Sequence, residues 1–205
     1  MIEEELNCGL LAIKDALLIL KIKITYEELR NHYFNLGFKI HDFGISSIHV
    51  ALLASTFNFA TNLKTTSAWL KEIYEVNNKF KSEINLSDDC KDTLKALRLL
   101  INLGGKISFP KGRERIKVDD IICAINHGSV VIVCVNARQY YGINEKWNHY
   151  IIAHSKKNCE SGFAVIDSLE NLGKGFYPEW NKYIKNAKRF NWSKWSGDMI
   201  EIKGQ

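Results

Sequence analysis

The chain has 205 residues, 46% of them apolar and 25% charged, with only 2 prolines and 13 glycines. That composition excludes a disordered, collagen-like or Pro-rich linker protein and fits one good-sized domain; a chain this long buries roughly 70% of the surface its unfolded form exposes. The formal net charge of +5, from 28 basic against 23 acidic side chains, permits an acidic partner but does not point to nucleic acid.

In chain order, residues 9–20 carry Leu10, Leu11, Ile13, Leu17, Leu18 and Leu20 at helical spacing, with Lys14, Asp15 and Lys21 on the other face. Asn7 stands at the N-cap position, which places Cys8 in the first turn. Thr25 opens a second helix as a capping box with Glu28, and Gly37 ends it. Residues 46–57 predict a third helix and residues 68–80 a fourth, the latter with Trp69, Ile73, Val76 and Phe80 along one side. A fifth follows Ser87 and stops at Gly104-Gly105.

The pattern then changes. Residues 118–126 predict a short helix with Asp119 and Asp120 near its positive end, and residues 130–135 are a continuous β-branched run, as in a central strand. Residues 148–153 and 162–167 predict two more strands joined by a polar turn over 154–161, and residues 198–203 a final strand. With helices first and an antiparallel sheet after them, the expectation is a single α+β domain over 1–205, with a helical half to about 105 and a sheet half from about 118.

The five cysteines, at 8, 90, 123, 134 and 159, are odd in number and form no CxxC pair, which suits a reducing compartment. Cys123 and Cys134 lie in apolar surroundings and are expected to be buried. The opening MIEEELNCG has acids where a signal peptide needs bases, and no apolar run spans a bilayer, so a cytoplasmic protein without membrane or nucleic-acid partners is expected, signal-less export remaining open.

Cys8 differs from the other thiols. A helix N-terminus stabilises a thiolate, and Gly9 beside it would let a substrate backbone approach. A thiolate nucleophile also needs a base, and the base an orienting group. His149 near the start of one predicted strand and Asp167 at the end of the next become cross-strand neighbours if those strands pair through the 154–161 turn.

These segments resemble a known family. LNCGLLAIKDALLIL is similar to the nucleophile helix of the C39-like branch of papain-fold cysteine peptidases, NHYIIAHSKKNCESGFAVIDS to its His strand, turn and Asp strand, and WSGDMIEI to its last strand. ISSIHVALLASTFNF and KVDDIICAINHGSVVIVCVN resemble the intervening units, and the likeness is greatest to the C39-like proteins labelled a guanylyl-cyclase domain family. It reaches from Cys8 to Ile202, with little carried by residues 71–111. The resemblance implies a papain-like fold with Cys8 as nucleophile, His149 as general base and acid, and Asp167 orienting His149, acting on a peptide or protein substrate without cofactor or metal. One position departs from the family: the Gln usually found six residues before the nucleophile is Ile2 here. The second donor to the oxyanion is therefore unassigned; Asn7 is the nearest amide, and an N-cap role would leave only its NH₂ free.

Other readings stand beside this one. The same triad would serve a glutamine deamidase or an acyltransferase, and a pseudo-peptidase would bind a peptide without cutting it. Nucleotide cyclisation is suggested by the family label alone, since the chain offers no paired metal carboxylates or phosphate cradle. His149, His154 and Cys159 as zinc ligands is disfavoured because 149 and 154 have opposite strand parity. Lys106, Lys111, Arg113, Arg115 and Lys117 read as a solvated loop, LGKGF at 172–176 as a turn, and Trp180, Trp192 and Trp195 as sheet cover.

Overall fold

In the computed structural model, the structure describes residues 7–40, 44–79, 87–110, 116–136, 148–154, 164–168 and 198–204. Among these, the helices are α1 (Cys8–Ile19), α2 (Tyr26–Asn35), α3 (Ser47–Ser55), α4 (Ala68–Lys79), α5 (Asp88–Asn102) and α6 (Val118–Asn126). The strands are β1 (Ala60–Lys64), β2 (Lys106–Ser108), β3 (Val130–Asn136), β4 (Asn148–His154), β5 (Ala164–Ile166) and β6 (Met199–Lys203). The fold is α+β, built on one six-stranded sheet of order β2-β1-β6-β3-β4-β5.

The expectation of a purely antiparallel sheet confined to the later half is corrected. β1 and β2 arise in the helical half and pair in parallel, while β6 inserts between β1 and β3, antiparallel to both. Neither β1 (ATNLK) nor β2 (KIS) has the apolar alternation of an independent strand. β1 pairs along the edge that β6 offers, and β2 along the edge that β1 then offers. Lys106, expected in a solvated loop, belongs to β2, whereas Lys111, Arg113 and Arg115 lie outside the described residues.

Both faces of the sheet centre are covered, which explains the unbroken apolar run of β3. On one face Val130, Ile132, Cys134, Tyr150, Ile152, Ile200 and Ile202 join the core formed with α1, α3 and α5. On the other, Val131, Val133, Val135, Ile151, Ala153 and Met199 pack with Ile121, Ala124 and Ile125 of α6. α1 is enclosed beyond its expected apolar stripe: Gly9 to Ile13 and Asp15 to Leu17 are all buried, and Asp15 meets Lys14 at 3.0 Å. Burial of each of Leu10, Ile13 and Leu17 stabilises by about 1.5–3 kcal/mol, so this helix is a fixed platform for what stands on its end.

Local signals act where the sequence places them. Thr25 and Glu28 form the capping box at α2, and Gly37 ends that helix at φ 78°. Lys95 closes the same end, its Nζ donating to the carbonyls of Leu36 and Gly37 at 2.8 and 3.1 Å. Among the described side chains of α4, Leu70 and Ile73 are buried, while Trp69, expected on the packed side, is 43% exposed; Phe80 lies outside the described residues. Cys134 is buried as expected, but Cys123 is exposed, because the apolar residues around it turn Ile121, Ala124 and Ile125 inward and leave position 123 on the outer side of α6.

Candidate active site

Cys8 is the first residue of α1 and is half-buried. The residue before it fixes its position. The Asn7 side-chain oxygen accepts from the N–H groups of Gly9 and Leu10 at 3.0 and 3.2 Å, and its backbone carbonyl accepts from Leu11. Its own N–H donates to the Tyr26 hydroxyl at 3.1 Å, which ties the Cys8 end of α1 to the start of α2. The expected N-cap is thus present, a feature typically worth about 1 kcal/mol. Among the described residues, the Cys8 N–H is the one amide of the first turn that these bonds leave available.

Gly9 has a different task from the one expected. A Cβ there would sit 2.6 Å from Cγ1 of Ile45, so the missing side chain admits the 44–47 segment and not a substrate backbone. That segment is held in turn from the sheet. The Tyr150 hydroxyl donates to the Ile45 carbonyl at 3.3 Å and lies 3.1 Å from the Ser47 hydroxyl. Tyr150 is a site residue that the sequence reading missed. Its signal was present, since a tyrosine inside an aliphatic strand must find a partner for its hydroxyl, but the partner is 105 positions away.

His149 lies in β4 opposite Val135 and is fully buried, and Asp167, one residue past β5, is nearly so. The β4–β5 register pairs Ile152 with Ile166. Carried one step further, it sets Asp167 diagonal to His149 on the same side of the sheet, the geometry in which long side chains reach each other. The imidazole Nε2 donates to the Asp167 carboxylate at 2.8 Å, a role that follows from the partner being an acceptor. Nδ1, also buried, is then the nitrogen left for the Cys8 thiol.

Burial by itself disfavours a charged imidazole, but hydrogen bonds and charge attraction from Asp167 and Cys8 outweigh it and push the His149 pKa up to about 9. The structure therefore gathers Cys8, His149 and Asp167 from α1, β4 and the end of β5. His154, at the far end of β4, is only half-buried and stands opposite Ala164.

The remaining described thiols have other surroundings. Burial, then the charges of Asp198 and Cys8, push the Cys134 thiol well up, leaving it a poor nucleophile despite its closeness to Cys8. Cys90 is half-buried, and Cys123 is exposed beside His127. Cys159, residues 172–176, Trp180, Trp192 and Trp195, the turn at 155–161 and Ile2 lie outside the described residues. Among the described residues, no group of three His, Cys, Asp or Glu side chains could hold a metal ion, and no helix is long and apolar enough to cross a membrane. Comparison with family models, curated proteins and solved structures finds nothing that matches the chain.

Proposed function

We propose that this protein is a papain-like, C39-type cysteine enzyme that cleaves an amide bond in a peptide or protein through a thioester. The observation that carries this reading is the placement of one buried histidine between Asp167, 2.8 Å from Nε2, and a cysteine at a helix N-terminus. His149, with its pKa at about 9, is protonated at neutral pH and turns Nδ1–H toward the sulfur, and Cys8 Sγ attacks the carbonyl carbon as the thiolate of that ion pair. The charge that develops on the carbonyl oxygen meets the Cys8 N–H and the positive end of α1. The imidazolium then protonates the departing amine, and the acyl group stays on sulfur. His149 next takes a proton from water as the water attacks the thioester; the C–S bond breaks, the acid leaves, and the Cys8 sulfur is returned as a thiolate beside the imidazolium. Throughout, Asp167 holds Nε2–H, so that Nδ1 is the nitrogen presented to sulfur and the imidazolium is stabilised.

Incubation with a peptide mixture, read by mass spectrometry, tests the proposal. Cleavage gives two fragments and a transient adduct on Cys8. A gain of about one dalton on a glutamine would instead make the same acyl-enzyme a deamidase. If Cys8 forms no thioester with any peptide or activated ester, the enzyme reading fails, and a peptide-binding cleft takes its place.

A further inference from the structure

We infer that Asn7 is a catalytic residue whose side-chain NH₂ forms the oxyanion hole together with the Cys8 N–H; this rests on the acyl-transfer reading of the same site. The direction of the amide is set by its chemistry. Only the oxygen can accept from Gly9 N and Leu10 N, so Nδ2 is the atom turned away from the helix. Among the described residues Nδ2 has no acceptor, although Asn7 as a whole is 8% exposed. It faces Gly44, where a Cβ would approach to 3.0 Å, so the glycine keeps the space beside this donor clear of side chain. Gly44 has φ 84°, a conformation other residues rarely take.

Two further features suit the role. An oxyanion donor works by being aimed before the charge appears. Asn7 is fastened through its N–H to Tyr26, through its carbonyl to Leu11 and through Oδ1 to two amides, which leaves the NH₂ as its one polar group without a partner among the described residues. The Cys8 N–H adjoins it in sequence at the positive end of α1. The two donors thus stand on adjacent residues at the positive end of α1, in a chain with Ile2 where the C39-like pattern that it resembles has a Gln.

The test compares two reactions of Cys8 in the full chain. Acylation by 4-nitrophenyl acetate develops an oxyanion; alkylation by iodoacetamide, a displacement at saturated carbon, does not. Asn7→Ser keeps an N-cap oxygen and loses the NH₂. We expect its acylation to slow by about 100-fold while alkylation stays within about threefold of wild type. Asn7→Asp, also a good cap, serves as the second variant, with each folded state checked by thermal melting. Acylation within threefold of wild type in Asn7→Ser overturns the assignment, and so does a parallel fall of both reactions, which would mean that Asn7 acts through the helix alone. Wild-type protein acylating no faster than Cys8→Ala would instead sink the acyl-transfer reading itself, a result distinct from either.

Discussion

Two cysteine–histidine pairs occur among the described residues, and they are built in opposite ways. Cys123 and His127 are one helical turn apart on the outer side of α6, with Sγ 3.7 Å from Nδ1. That same Nδ1 is 2.7 Å from the Cys123 carbonyl, to which it donates, and His127 is the C-cap of the helix. A nitrogen already carrying a donated proton cannot take one from a thiol, so the local pair has its base committed to the backbone. Cys8 and His149 come from elements 141 positions apart and meet under cover, with a carboxylate on the far nitrogen and an open amide beside the sulfur. Closeness of a thiol and an imidazole is therefore not what separates the two pairs. The difference lies in what the second ring nitrogen does and in what surrounds the sulfur.

The broadest break between the pairs is in turnover. Once a substrate is in hand, Cys8→Ala should lose at least about 1,000-fold in kcat/KM, and Cys123→Ser should stay within about twofold. Comparable losses in both variants would remove the distinction. Asp167→Asn comes next. It keeps the shape but presents the wrong tautomer to sulfur, so kcat should fall by at least about 100-fold while the melting midpoint moves by only a few degrees. Near-normal turnover in folded Asp167→Asn would leave at most a Cys8–His149 dyad.

A smaller effect is expected for the thiols alone. At pH 7, alkylation mapped by mass spectrometry should modify Cys8 at least about tenfold faster than Cys123 or Cys90, even though Cys123 is the more exposed. Equal labelling would mean that exposure outweighs the environment of the helix N-terminus. Replacement of His127 by Gln should leave the Cys8 rate unchanged.

The pH dependence of stability sharpens the comparison further. The folded His149 pKa of about 9 exceeds the ordinary 6.5, so the folded state binds its proton more tightly than the unfolded chain does. The resulting stabilisation is complete below about pH 6.5 and is lost as pH rises through about 9; a shift of this size corresponds to about 3 kcal/mol. Urea melts from pH 6 to 10 should show that decline in wild type, and Asp167→Asn should flatten it, because burial then acts on the imidazole with less opposition. An imidazole signal of His149 that titrates at or below 6.5 in wild type would contradict the coupled arrangement.

Much of the local structure was legible in the residues. The α1 cap at Asn7, the Thr25–Glu28 box, the bounds of α6 and the β-branched run of β3 all follow from contacts within a few positions, where side-chain chemistry and periodicity act directly. Cys8, His149 and Asp167 could be singled out because a thiol at a helix start and a His–Asp spacing across a strand pair are local patterns too. Tertiary structure decided what depends on distant partners. β1 and β2 are strands because β6 supplies an edge for β1 and β1 one for β2. Trp69 and Cys123 are exposed because the packing of neighbouring elements, and not apolarity alone, selects which side of a helix is covered. Gly9 is empty for Ile45, and Tyr150 reaches across the chain to hold that residue, because close packing leaves one arrangement in which the helix end, the 44–47 segment and the sheet fit together.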